Sequence, residues 1–229
     1  ALALHDALLT DLLIFFIEQH AQKSSAAVDA AAAAAVLETP GCEMLRYLWI
    51  MLDMVTKSII LTLDAKGALA STVERHGRIG ASFFDLLAKL LGTMAQFALE
   101  RLDVLPFSVL RQANSYIALF LRELLLVLDR GAVLAVATTY VDKIVISPAD
   151  HESRQASKAY LRVEFLHVFG DTALHVPMLI PSVGALPLDA DSAATAHPLA
   201  GVVCRSVLLT LRQLRSHPAR QAAIAVLSE

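Results

Sequence analysis

Eight histidines are the first candidates for metal or acid–base chemistry, because imidazole binds zinc and titrates near neutral pH. His151-Glu152 has no second histidine four residues on, and His167 and His175 are separated by a predicted helix end rather than by one helical turn, so no zinc spacing forms. Asp171 and His175, at i and i+4, could pair as acid and base, but an Asp at a helix start beside a His is read as local electrostatics. No nucleophile elbow, Walker-type loop or dinucleotide-binding glycine fingerprint is present. Gly77-Arg78-Ile79-Gly80 has the GxxG form of one RNA-binding loop, yet it lacks flanking strands and a basic surround, so a plain loop is expected. Arg205, Arg212, Arg215 and Arg220 form a basic group near the C-terminus, with Arg205 and Arg212 on one helical face. Such a stripe could meet phosphates or an acidic partner, but a solvated face is the simpler reading. Trp49, within YLWIML, is expected in the core. No catalytic, cofactor-binding or metal-ligating residue is assigned, and no cofactor is expected.

The elements that would have to position any such chemistry are helices. The most informative stretch is FLRELLLVLDRGAVLAVATTYV, Phe120 to Val141, apolar on both sides of Asp129-Arg130-Gly131. As a membrane span it would carry two central charges costing about 3 kcal/mol each, against gains of about 0.3–0.6 kcal/mol for each Leu or Val. As two helices joined by a tight turn it needs no such cost: Asn114 or Ser115 caps the first, Asp129 caps the second, and Gly131 relaxes the backbone between them. Ile117, Phe120, Leu121, Leu124, Leu125 and Leu128 form one helical stripe, and Val133, Val136, Ala137, Tyr140 and Ile144 begin another. The expectation is an antiparallel helical hairpin.

The same logic runs along the chain and gives about nine helices. Leu9, Leu12, Leu13, Phe16 and Ile17 mark the first, and the alanine-rich Ser25 to Glu38 the second. Pro40 opens a helix carrying Leu45, Leu48, Trp49, Leu52, Val55 and Ile59. Asp64 to Gly80 reads as a polar, glycine-dotted connection, after which Ser82 caps a helix with Phe84, Leu87, Leu91 and Ala98. A helix from about Ala156 to Phe169 ends at Gly170; residues 181–198 have no period and are expected to be a mobile loop; Pro198 and Ser216 open the last two helices. No stretch alternates like a strand. The fold class is all-α, and residues 1–229 are expected to form a single segment of stacked antiparallel helix pairs.

Composition narrows the function. Hydrophobic residues make up 56% of the 229-residue chain and the mean hydropathy is +0.59, but no uninterrupted run approaches the roughly 18 residues of a bilayer span. With 19 Lys and Arg against 22 Asp and Glu, the net charge of −3 gives no general attraction for nucleic acid or an anionic membrane. Cys42 and Cys204 stand far apart without a CxxC context, which fits buried thiols in a reducing compartment. The opening ALALHDALL lacks Met and a basic leader region, and the chain reads as a piece of a longer helical array whose cut ends would be apolar and prone to self-association. Leu8 to Ile17 wrap apolar residues round most of the first helix.

Several motifs together resemble one family, the dedicator-of-cytokinesis (DOCK) guanine-nucleotide exchange factors. These are LDMVTKSI (Leu52 to Ile59) after Tyr47-Leu48-Trp49, NSYIALFLRELLLVLDRGAVLAVATTY (Asn114 to Tyr140), LRVEFLHVF (Leu161 to Phe169), Pro177 to Pro181, and HPLAGVVCRSVLL (His197 to Leu209). LAGVV and LRVEFL favour the zizimin-related branches, and GDTALHV (Gly170 to Val176) departs from the family pattern. The resemblance implies an armadillo/HEAT-like α-solenoid, lying between a lipid-binding domain and the catalytic exchange domain of a cytoplasmic protein recruited to membranes. The family's nucleotide-releasing residues lie downstream and match nothing here, so the segment is expected to be a non-catalytic scaffold. Its expected partners are neighbouring domains of the same chain, a Rho-family GTPase through the parent protein, and a homodimer or adaptor protein. Neither nucleic acid nor a membrane span is expected. The alternative is a stand-alone helical repeat adaptor that binds a protein partner in a groove.

Overall fold

Stripes of apolar residues at helical spacing close into seven helices among the residues that the computed structural model describes, 3–21, 40–70 and 74–170, with Leu211, Arg212 and Arg220 beyond them. They are α1 (Leu4–Ala21), α2 (Pro40–Arg46), α3 (Leu48–Ala65), α4 (Ala81–Glu100), α5 (Phe107–Val127), α6 (Arg130–Lys143) and α7 (Glu152–Phe169). No strand occurs among the described residues. The Ser25 to Glu38 segment, the 181–198 loop, Asp171, His175, Cys204, Arg205 and Arg215 lie outside them.

From α3 onward a helix meets the helix two ahead of it, α3 on α5, α4 on α6 and α5 on α7, while α1 meets α4. α1, α4 and α6 thus form one row and α3, α5 and α7 the other. Contacts of α1 with α3 and of α5 with α6 join the rows, and α2 wedges against α5, α1 and α3. This is the layered stack of a helical repeat array. One continuous core runs through it, from Leu9, Leu12 and Phe16 of α1 to Leu161, Phe165 and Phe169 of α7. α4 is long and apolar enough to cross a membrane by length and composition alone, yet Leu87, Leu90, Leu91, Met94 and Phe97 are spent on this core.

The hairpin is as its stripes require. All eleven stripe residues from Ile117 to Ile144 named above are buried, α5 ends at Val127, and Asp129 caps α6 by accepting a 2.8 Å hydrogen bond from the Ala132 N–H. Three local expectations fail. Asn114 and Ser115 do not start α5: they lie mid-helix, because Pro106, with no N–H to lose, sets the boundary instead. Ser82 is not the cap of α4; Gly80 holds that position without a side-chain bond. Gly131 does not relax the turn, since positive φ occurs among the described residues only at Gly67 and Gly77. Gly131 sits in the first turn of α6, where a Cβ would lie 3.3 Å from the capping Asp129 Oδ1. Its service is space for the cap.

Two further corrections concern the Pro40 helix. It breaks at Tyr47 into α2 and α3, and Trp49 is half exposed rather than in the core. Leu45, Leu48, Leu52, Val55 and Ile59 take the buried stripe as expected, and Trp49 falls on the opposite side of α3. α2 approaches α4 so closely that a Cβ on Gly41 would stand 2.5 Å from Phe97 Cζ. Phe97 is itself buried, so only glycine fits without moving the core.

Candidate functional site

The polar residues that the sequence singled out do not converge. His151 is the N-cap residue of α7 without a side-chain cap bond, Glu152 and His167 are exposed on α7, and no group of three or more His, Cys, Asp or Glu that could hold a metal occurs among the described residues. Burial pushes the Cys42 thiol up, with Arg46 opposing and Glu43 reinforcing, the reverse of what a nucleophilic thiolate needs. Arg212 and Arg220 are exposed. The GRIG stretch is a turn whose Arg78 donates to the Val127 carbonyl at 2.8 Å, so its work is structural.

The structure instead brings together three polar junctions between helices. At the centre, Asn114 of α5 donates from Nδ2 to the Leu161 carbonyl of α7 at 2.9 Å and accepts at Oδ1 from the Tyr140 hydroxyl of α6 at 3.0 Å. One amide thereby satisfies groups from both neighbours. A buried polar group left without a partner costs about 1–3 kcal/mol, so the trio fixes the relative register of α5, α6 and α7 as apolar contacts alone would not. Tyr140 also lies against Phe165, with ring centroids 4.8 Å apart, and its burial raises the phenol's pKa far above the usual range. It stays a donor. A hollow of about 20 Å³ adjoins the trio, bordered among others by Leu45, Met94 and Ile144, room for about one water.

The second junction clamps the hairpin. Arg75 and Arg78, from the connection between α3 and α4, donate to the Leu125 and Val127 carbonyls at 2.9 and 2.8 Å. The last carbonyls of a helix lack partners within it and carry partial negative charge. Two guanidiniums supply both needs, and His76 lies 3.6 Å from the Asp129 carboxylate on the α6 side. The third junction surrounds Asp150, before α7. Lys158 reaches it at 2.6 Å, Arg154 at 3.5 Å, and the Ser147 N–H donates to it at 3.0 Å. Burial alone would raise the Asp150 pKa, but the Lys158 hydrogen bond, the Ser147 N–H and the two cations together hold it below the ordinary carboxylate value. Arg154 also pairs with Asp103 and donates to the Leu99 carbonyl at 2.6 Å, tying α7 to the end of α4.

Sequence reasoning missed all three junctions. Asn114 offers a signal, a lone amide three residues before Ile117 on an otherwise apolar stripe, but an amide there equally suits a helix cap. Arg75 and Arg78 carried none, because their acceptors are backbone carbonyls about fifty residues away.

Chemically, these arrangements hold helices in place. They present no nucleophile beside a base and no cluster of unpaired charge aimed into a cleft. The family model described as "DOCK6-11, TPR domain" matches residues 16–169. No curated protein and no solved structure matches the chain. TPR and armadillo/HEAT arrays share the stacking of helix pairs, and the match runs from mid-α1 to the last residue of α7. It covers more than half of the chain, includes the residues of all three junctions, and agrees with the zizimin-related branch, so the chain belongs to the DOCK family.

Proposed function

We propose that this segment is a non-catalytic helical scaffold in a guanine-nucleotide exchange factor for Rho-family GTPases, cytoplasmic, and set between a lipid-binding domain and the downstream exchange domain. The observation that carries the reading is the family match over α1 to α7 together with junctions that resist sliding between helices, at Asn114, Arg78 and Asp150. A spacer has to keep a fixed distance under load. Shared side-chain hydrogen bonds across successive helices serve that end, whereas a flexible linker of equal length would not.

The test uses the parent exchange factor. Replacing residues 40–170 by a Gly/Ser linker is expected to leave nucleotide release from soluble GTPase unchanged and to lower release from GTPase anchored on vesicles. Loss of release in solution would mean that the segment takes part in exchange. Equal activity on vesicles would remove the spacer role.

A further inference from the structure

The loop between α6 and α7 carries Ser147-Pro148, a serine followed directly by a proline. Thr39-Pro40 is the chain's other dipeptide of this form, and its threonine lies outside the described residues. Proline removes an N–H and steers the residue before it into extended backbone, the signature by which proline-directed protein kinases select a serine or threonine. Pro148 and Ala149 are exposed and Ser147 is half-buried. The Ser147 hydroxyl accepts from the Ala149 N–H at 3.2 Å, at the long end of the hydrogen-bond range.

What a phosphate would meet there sets Ser147 apart from an ordinary loop serine. The Ser147 N–H donates to Asp150 Oδ2 at 3.0 Å, and the same oxygen accepts from Lys158 Nζ at 2.6 Å. Arg154 Nε stands 3.5 Å from the other oxygen of that carboxylate. Arg154 also reaches Asp103 and the Leu99 carbonyl at the end of α4. Two carboxylates thus face two cations, with the Ser147 backbone joined to both cations through Asp150. A serine phosphate adds a charge of about −1.5 to −2 at neutral pH, more than those cations can neutralise, so one anion has to yield. The Asp103 side chain is 66% exposed and that of Asp150 16%, and Asp103 therefore loses least by returning to water. We infer that Ser147 is a phosphorylation site for a proline-directed kinase, and that its phosphate draws Lys158 and Arg154 to itself and unlocks α7 from the end of α4. In the transfer Ser147 Oγ bonds to the γ-phosphorus of ATP and the bond from that phosphorus to the bridging oxygen breaks. Its electron pair leaves with ADP, and the hydroxyl proton passes to the kinase's catalytic carboxylate. The inference concerns this loop alone and stands independently of the scaffold role.

The test uses the full chain with a mitogen-activated protein kinase, ATP and Mg²⁺, read by mass spectrometry and hydrogen exchange. Phosphate is expected at Ser147 and not in Ser147→Ala. Pro148→Ala, which keeps the hydroxyl, should be modified at least about tenfold more slowly. Once Ser147 is phosphorylated, amides of residues 99–105 should exchange about tenfold faster, as expected for the loss of one charge-assisted hydrogen bond. In Arg154→Gln the tie is already gone, and phosphorylation should leave that exchange unchanged. No phosphate at Ser147, equal rates in Pro148→Ala, or exchange in the otherwise unaltered chain that ignores the phosphate would each overturn the proposal. So would a tenfold response that persists in Arg154→Gln.

Discussion

Asp129 and Gly131 act as one device. The carboxylate accepts from the Ala132 N–H at 2.8 Å, and the missing Cβ two residues on leaves it room. Asp129→Ala is expected to lower the unfolding free energy by about 0.5–2 kcal/mol, the usual loss for an N-cap. Gly131→Ala has two opposed effects: higher helix propensity, worth up to about 1 kcal/mol, and crowding of the cap. In the wild-type background crowding offsets the gain. In the Asp129→Ala background only the gain remains, so Gly131→Ala should stabilise. A double-mutant cycle by urea denaturation checks this, and strictly additive effects would separate the two residues.

At the scale of the element, α1 is held by more than its apolar stripe. His5 is buried, with Nδ1 3.3 Å from the Ser58 hydroxyl of α3 and its ring edge-on to Phe83 of α4. Burial lowers its pKa; Asp6 opposes this and Lys66 adds to it. The unfolded chain takes up a proton at about pH 6.5 that the folded chain refuses until the pH is lower. The contribution of this site to stability is therefore full above the unfolded value and is lost as pH falls through the folded one. The urea midpoint should drop between about pH 7 and pH 5, and drop less in His5→Gln. The elements themselves were legible where a stripe was long and bounded by a proline or a cap, as for α5 and α6. They were less so where tertiary packing chose between equivalent faces. Trp49 and Leu48 are neighbours in the sequence, and only the position of α5 and α1 decides which is buried. The junctions were illegible for a related reason, since side chains such as Arg75 and Lys158 gain meaning only from what the fold brings near.

For the whole molecule, stability should grade from the inside of the stack outward. α5 meets helices of both rows and α4 has a neighbour on either side, while α2 is short and interrupted at Tyr47. In an array of this type each element depends on its nearest neighbours. Native-state hydrogen exchange should therefore be slowest in α4 and α5 and fastest in α2 and around Tyr47. Uniform protection across all seven helices would show one indivisible unit instead.

The packing of α5 on α7, two helices ahead, also sets a timetable for synthesis. Asn114 and its acceptor at Leu161 are 47 residues apart. At about 5–20 residues per second of translation, α5 waits roughly 2–10 s for α7 to follow it from the ribosome. During that interval Asn114 can already serve Tyr140, 26 residues on, but the face of α5 meant for α7 stands open. A nascent chain paused there presents that face to whatever chaperone is nearest, and slowing translation between Tyr140 and Leu161 should lengthen its stay.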